Sequence, residues 1–145
     1  MNVEISNDSG EIVDEEGIVG VAKFAMKKMG LHEECELAIS VVNEERITDL
    51  HVEWMGLEGA TDVLSFPMDE LKPEDLEPGI VGDVVLCPQY AKKQATNGID
   101  VELKLLTIHG VLHCLGFDHA EPSEEKVMFE LQDSLLIEWQ ELVND

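Results

Sequence analysis

Three of the five histidines in this chain of 145 residues fall within eleven positions, His109-Gly110-Val111-Leu112-His113-Cys114-Leu115-Gly116-Phe117-Asp118-His119. No other segment constrains the fold as strongly. A helix turns about 100° per residue, so residues four apart share a face roughly one turn along. His109 and His113 therefore point at one place if the segment is helical. The sequence predicts a helix over 101–115, with Asp100 as its N-cap and Leu105, Ile108, Leu112 and Leu115 as an apolar stripe. Gly116 stands where a left-handed residue ends a helix and reverses the chain. That reversal swings His119 back toward the two helical imidazoles. Three neutral imidazoles with a fourth position open describe a catalytic zinc site, whereas a structural site takes a fourth protein ligand. Cys114 is one step round the helix from His113 and faces elsewhere. Asp118 has two readings, a carboxylate that orients a ligand or a solvated turn residue.

The residue after His109 is glycine, where a His-Glu-x-x-His zinc peptidase carries its general base. The spacing His-x-x-x-His-x-x-Gly-x-x-His is nevertheless that of metzincin peptidases. A zinc peptidase or amidase is thus one alternative, opposed by Gly110.

Length and composition set the frame. A chain of 145 residues with 44% hydrophobic content is long enough for one core, and a single domain over 1–145 is expected. No apolar run reaches the length of a membrane span, and no signal-peptide pattern opens the sequence. Cys35, Cys87 and Cys114 are odd in number and irregularly spaced, which fits buried thiols in a reducing compartment. The charge is the awkward fact. Thirty-two acidic residues against nine basic ones give a formal net charge of −23, and Arg46 is the only arginine. Such a chain repels nucleic acid at long range, so a nuclease of this composition needs a locally uncharged or metal-centred cleft, or a partner.

Periodicity predicts the remaining elements. Residues 1–6 read as a strand and 7–10 as a turn. A helix over 14–29 carries Ile18, Ala22, Ala25 and Met29 on one side, with Gly30 closing it. Residues 35–42 alternate as a strand, and Asn43 caps a helix to about Trp54. Gly56 to Ala60 is expected as a loop, and Val63–Phe66 as a short edge strand ended by Pro67. An acidic, proline-bearing loop over 68–78 is the segment expected to be most mobile. A strand over 80–86 and a helix from Pro88 to about Thr96 precede the histidine helix. Ser123 is expected to cap a final helix to about Val143, with Val127, Leu131, Leu135 and Trp139 buried. Strands and helices interleave without regular alternation, which predicts an α+β fold with one mixed sheet.

With the histidine run, Thr61-Asp62-Val63-Leu64-Ser65-Phe66-Pro67 and Gly82-Asp83-Val84-Val85-Leu86 in hand, the chain resembles the YbeY family of bacterial ribosomal RNA maturation factors. The order and separation of the three motifs fit over nearly the whole chain. The resemblance implies a zincin-like α+β fold with one Zn2+ on His109, His113 and His119. It implies a metal-dependent, single-strand endoribonuclease in rRNA maturation and ribosome quality control. The cytoplasm would be its location, and rRNA, the small ribosomal subunit and ribosome-associated proteins its partners. It also places Ser65 near the metal cleft, although a strand hydroxyl bonded to backbone is an equal reading of that residue. Ser65 and Asp118 are the candidate catalytic residues.

One position departs from the family. An aromatic-arginine pair usually precedes the Thr-Asp-Val-Leu motif, and here the pair is Trp54-Met55. Methionine carries no charge and donates no hydrogen bond, so it gives nothing to a phosphorane dianion. Arg46 lies nine residues upstream, about half a revolution round and roughly 13 Å along a helix, facing the other way. Lys72, Lys92 and Lys93 are the remaining candidate cations. The leading reading is metal-assisted phosphodiester cleavage, with the general base open among metal-coordinated solvent, Asp118, Glu121 and a substrate hydroxyl. The second alternative is a non-catalytic ribosome-assembly factor that the metal only stabilises.

Overall fold

The computed structural model describes residues 1–55 and 61–144; the expected loop at Gly56–Ala60 and the side chain of Met55 lie outside the described residues. Strands β1 (Asn2–Asn7), β2 (Glu36–Val41), β3 (Val63–Pro67) and β4 (Ile80–Leu86) form one sheet in the order β1-β2-β4-β3. β1, β2 and β4 run parallel, and β3 returns antiparallel along β4. The sheet is mixed and the fold α+β, as expected. β3 is an edge strand, which tolerates Pro67 as its last residue because an edge proline leaves no ladder bond unmade on its free side.

Side-chain alternation assigns the two faces of the sheet. Leu37, Ile39 and Val41 of β2 and Val84 and Leu86 of β4 turn into the main core. Helices α1 (Glu15–Lys28), α4 (Ile99–Cys114) and α5 (Pro122–Val143) contribute to that core. On the other face Leu64 and Val85 join Ile47 of α2 (Glu44–Met55) in a smaller apolar cluster. A short helix α3 (Pro88–Ala91) links β4 to α4 and stops well before Thr96. α1 starts on the Asp14 carboxylate, which accepts from the Gly17 amide at 3.1 Å, and acidic Glu15 and Glu16 favour the positive end of its dipole.

α4 is buried on nearly every side. Leu103, Leu106, Ile108, Val111, Leu112 and Cys114 are all buried, so the helix shows more than the single stripe expected. Each such aliphatic side chain contributes about 1.5–3 kcal/mol by leaving water. α4 thus fixes rigidly whatever its last two turns carry. Its N-cap is Gly98, not Asp100: the glycine takes φ 92°, the helix begins two residues earlier than expected, at Ile99, and Asp100 lies in the first turn. α5 differs from expectation in a similar way. Glu121 is its N-cap with Pro122 first in the helix, and Ser123 lies inside. Its buried residues are Met128, Gln132, Leu135 and Leu136, while Val127 is exposed and Leu131 and Trp139 are half-buried. A strict four-residue spacing advances about 40° per step around a helix, so 127, 131, 135 and 139 cannot all share one face. The acidic loop over 68–78 is anchored rather than free: Leu71 is buried, the Glu74 amide donates to the Met29 carbonyl at 2.8 Å, and the Ile80 amide donates to the Asp69 carboxylate at 2.6 Å. Among the described residues no helix is long and apolar enough to cross a membrane.

Candidate metal centre

The histidine helix ends in a turn that follows from its glycine. Gly116 takes φ 98°, which side-chain-bearing residues rarely adopt. Its amide donates to the His113 carbonyl at 3.0 Å and the Phe117 amide to the Leu112 carbonyl at 3.1 Å. This pair of bonds closes the helix with a Schellman motif. The chain then folds back, and His119 joins His109 and His113. Their ring centroids lie 4.6 Å (109–113), 5.0 Å (113–119) and 5.5 Å (109–119) apart. One nitrogen from each ring lies within 4.8 Å of the others. Tetrahedral zinc–nitrogen bonds of 2.0–2.1 Å require about 3.3 Å between donors, a small inward adjustment of the rings.

The second nitrogen of two rings is already committed. His109 Nδ1 lies 2.7 Å from Gln132 Oε1, and His113 Nδ1 lies 2.9 Å from the Phe117 carbonyl oxygen. Both partners accept, so both Nδ1 atoms carry the proton and donate, which leaves each Nε2 with its lone pair free for a metal. Burial holds both imidazoles below their ordinary pKa, and neighbouring histidine charge pushes the same way. A neutral ligand pair is therefore built in. Gln132 was not foreseen from sequence, since a glutamine within a long helix carries no ligand spacing. The one hint is its position among apolar residues on the α5 core face.

Gly110 has a physical reason as well. A Cβ at this position would lie 2.7 and 2.9 Å from the two methyls of Val84 and 3.2 Å from Ser65 Oγ. α4 packs onto β4 and β3 so closely that a side chain at 110 collides with the sheet. The place where a peptidase glutamate would begin is filled.

Ser65 turns toward the histidines and lines a cavity of about 410 Å³ with Thr61, Asp62, His109, His113 and His119. Asp118 sits apart from the ligand rings' inner nitrogens; its carboxylate accepts from the His119 amide at 2.7 Å and so holds the turn that carries His119. Cys114 is buried and faces away, as expected, and burial pushes its thiol up to about 12, unsuited to metal binding. Among the described residues lining the cavity there is no lysine or arginine. Arg46 lies on the opposite face of the sheet with Trp54 and Phe66. Lys92 and Lys93 pair with Glu11 and Glu44 at 3.0 and 3.3 Å. Lys72 reaches the histidine turn, its Nζ 3.2 Å from where a Gly116 Cβ would be.

The chain is similar to known proteins over nearly its whole length. The family described as Endoribonuclease YbeY matches residues 4–140. A Rhodococcus erythropolis protein named Endoribonuclease YbeY is 51% identical over 150 residues, covering 97% of this chain and 83% of that protein. A Mycolicibacterium smegmatis protein of the same name is 50% identical over 148 residues, covering 96% and 83%. The solution structure of a Thermotoga maritima protein superposes with a TM-score of 0.64 at 25% identity, over 98% of this chain and 91% of that one. With the family match spanning nearly all of the sequence, and the fold and histidine cluster alike in place, the chain belongs to the YbeY endoribonuclease family.

Proposed function

We propose that this chain is a zinc-dependent endoribonuclease that cuts single-stranded RNA in ribosomal RNA maturation and ribosome quality control. In this reading residues 1–145 act as one domain, in the cytoplasm, with the small ribosomal subunit and its associated proteins as partners. The observation that carries the proposal is the tautomer-fixed pair His109 and His113, closed by His119 beside an open cleft. The donor set suits zinc: three imidazoles, two of them with pKa values lowered by burial and with Nδ1 facing an acceptor, which leaves Nε2 for the metal. Zinc bound there supplies Lewis acidity and lowers the pKa of coordinated water to about 7.

The chain's own residues do the rest. His109 and His113 keep their protons on Nδ1, so their metal-facing nitrogens need no proton transfer before binding. Ser65 Oγ lies on the cleft wall, where its O–H donates to a phosphate or ribose oxygen of a bound strand. Asp118 acts as a positioning residue through the His119 amide.

The purified zinc-loaded protein should cleave a single-stranded RNA, and a His113→Ala variant should not. Intact RNA in both samples contradicts the proposal. The peptidase reading loses its basis, because a glutamate at position 110 would drive its Cβ into Val84; a fluorogenic peptide assay should stay flat. The cation-free cavity lining among the described residues favours one competing reading, an assembly factor in which metal only stabilises the domain. Chelation that lowers the melting temperature while no cleavage is seen from folded, zinc-loaded protein supports that reading instead.

A further inference from the structure

The sheet has a second concavity, on the face away from the histidines. It encloses about 730 Å³ between α2 and the strands β2, β4 and β3. Arg46, Leu50 and Trp54 come from one stripe of α2 at four-residue spacing, Asn43 just before the helix continues it, and Phe66 and Asp83 face them from β3 and β4. Three features of this groove bear on what could occupy it. The chain's only arginine lies in it, and among the described residues its guanidinium has no hydrogen-bond or ion-pair partner. Trp54 is 65% exposed, with its ring edge-to-face against Phe66 at 6.5 Å. Asp83 and Asp8 add carboxylate acceptors to the same lining.

The groove is also next to the metal cleft. β3 is the edge of the sheet, and its consecutive residues Ser65 and Phe66 line the metal cleft and the groove respectively. A strand crossing that edge meets the histidines on one side and Trp54 on the other. Single-stranded RNA is recognised by bases splayed out onto aromatic faces and read by polar side chains at their edges, with arginine serving phosphate or base. The groove offers this set: an exposed indole, an unpaired guanidinium, and carboxylates that accept from base N–H groups. A base tolerates those carboxylates, whereas a bare phosphate does not. The occupant that suits all three features is therefore a nucleotide carrying its base inward.

We infer that this groove is a subsite for one unstacked base of single-stranded RNA, stacked on Trp54 with Arg46 holding its phosphate or base edge, flanking the bond cut at the histidine centre. The inference rests on the endoribonuclease reading for its substrate class, but binding is measured separately from cleavage. The probe is an eight-nucleotide, 2′-O-methyl, phosphorothioate-linked RNA offered to the zinc-loaded protein. In a Trp139→Phe background Trp54 is the sole indole, and its emission should be quenched as this RNA binds. Trp54→Ala should weaken binding of the labelled RNA about fivefold or more, and Trp54→Phe should largely restore it. Arg46→Gln should weaken it by a similar factor. Both positions are exposed, and unchanged melting temperatures check that the variants fold. On cleavable RNA the same variants should raise KM more than they lower kcat. RNA that binds with unaltered Trp54 emission, and with equal affinity for Trp54→Ala and Arg46→Gln, overturns the subsite and leaves the groove to a protein segment. Quenching and variant-sensitive binding without any cleavage by the parent protein support the subsite while removing the endoribonuclease reading.

Discussion

Gln132 Oε1 stands 2.7 Å from His109 Nδ1, so a buried amide on the last helix decides which nitrogen of a histidine on the preceding helix is free. A groove of chemistry is thereby tied to helix packing: α5 must dock on α4 for the ligand set to be ready. Outer partners of metal-bound histidines typically carry 10–100-fold in metal affinity. Gln132→Leu keeps the volume and removes the acceptor, so zinc affinity should fall by about 10-fold or more. Gln132→Glu keeps an acceptor and should retain or tighten binding. Competition against a chromophoric chelator reads both; equal affinities for the leucine variant and the parent would remove Gln132 from the account.

Gly110→Ala sets two effects against each other. Alanine gains about 1 kcal/mol in helix propensity, but overpacking a filled core costs about 1–3 kcal/mol. Contacts of 2.7 and 2.9 Å to Val84, itself fully buried, make overpacking the larger effect. The variant should therefore melt at a lower temperature, and Val84→Ala in the same chain should recover part of the loss. A Gly110→Ala protein as stable as the parent would show that α4 has room to move off the sheet.

Asp118 was expected either to orient a metal ligand or to sit in a turn. Its carboxylate joins the two readings by accepting from the His119 amide at 2.7 Å. Asp118→Asn retains an acceptor at that place and should leave zinc affinity nearly unchanged, while Asp118→Ala should weaken it severalfold. If both substitutions abolish RNA cleavage at unchanged zinc affinity, Asp118 takes part in the chemistry instead.

The buried imidazoles also set a pH dependence for the zinc-free protein. Burial lowers the folded-state pKa of His109 and His113 from 6.5. Below that value the unfolded chain binds protons that the folded one does not, so stability falls as pH drops from about 6.5 through the folded-state pKa values. Above it both states are neutral at these sites and the contribution is flat. Melting temperatures in chelator from pH 7.5 to 5 should decline, and a His109→Gln, His113→Gln protein should decline less steeply. Parallel slopes would show that these two groups do not govern the acid limb.

The ligand set could be read from sequence because its geometry is local. Helical spacing joins His109 to His113, and one glycine turn adds His119. The edge position of β3 followed from Pro67, and the α+β class from the order of the elements. What escaped reading depends on packing between elements distant in sequence. Gln132 gains its role only when α5 meets α4. The need for glycine at 110 lies in Val84, and the surroundings of Arg46 come from β3 and β4. The α5 stripe was misplaced for a simpler reason: four-residue steps drift around a helix, and Met128 and Gln132, not Val127 and Leu131, point most directly inward.

In the proposed function the histidine cluster, in the conformation Gln132 and Phe117 impose, makes this chain an RNA-cutting metalloenzyme. Single-turnover cleavage of a labelled single-stranded RNA by zinc-loaded protein tests it most directly, with His113→Ala as the paired control. Discrete products are expected from the parent, with loss of cleavage on chelation and recovery on adding zinc, and none from the variant. Intact RNA with folded, zinc-loaded parent, or identical products from His113→Ala, would contradict it.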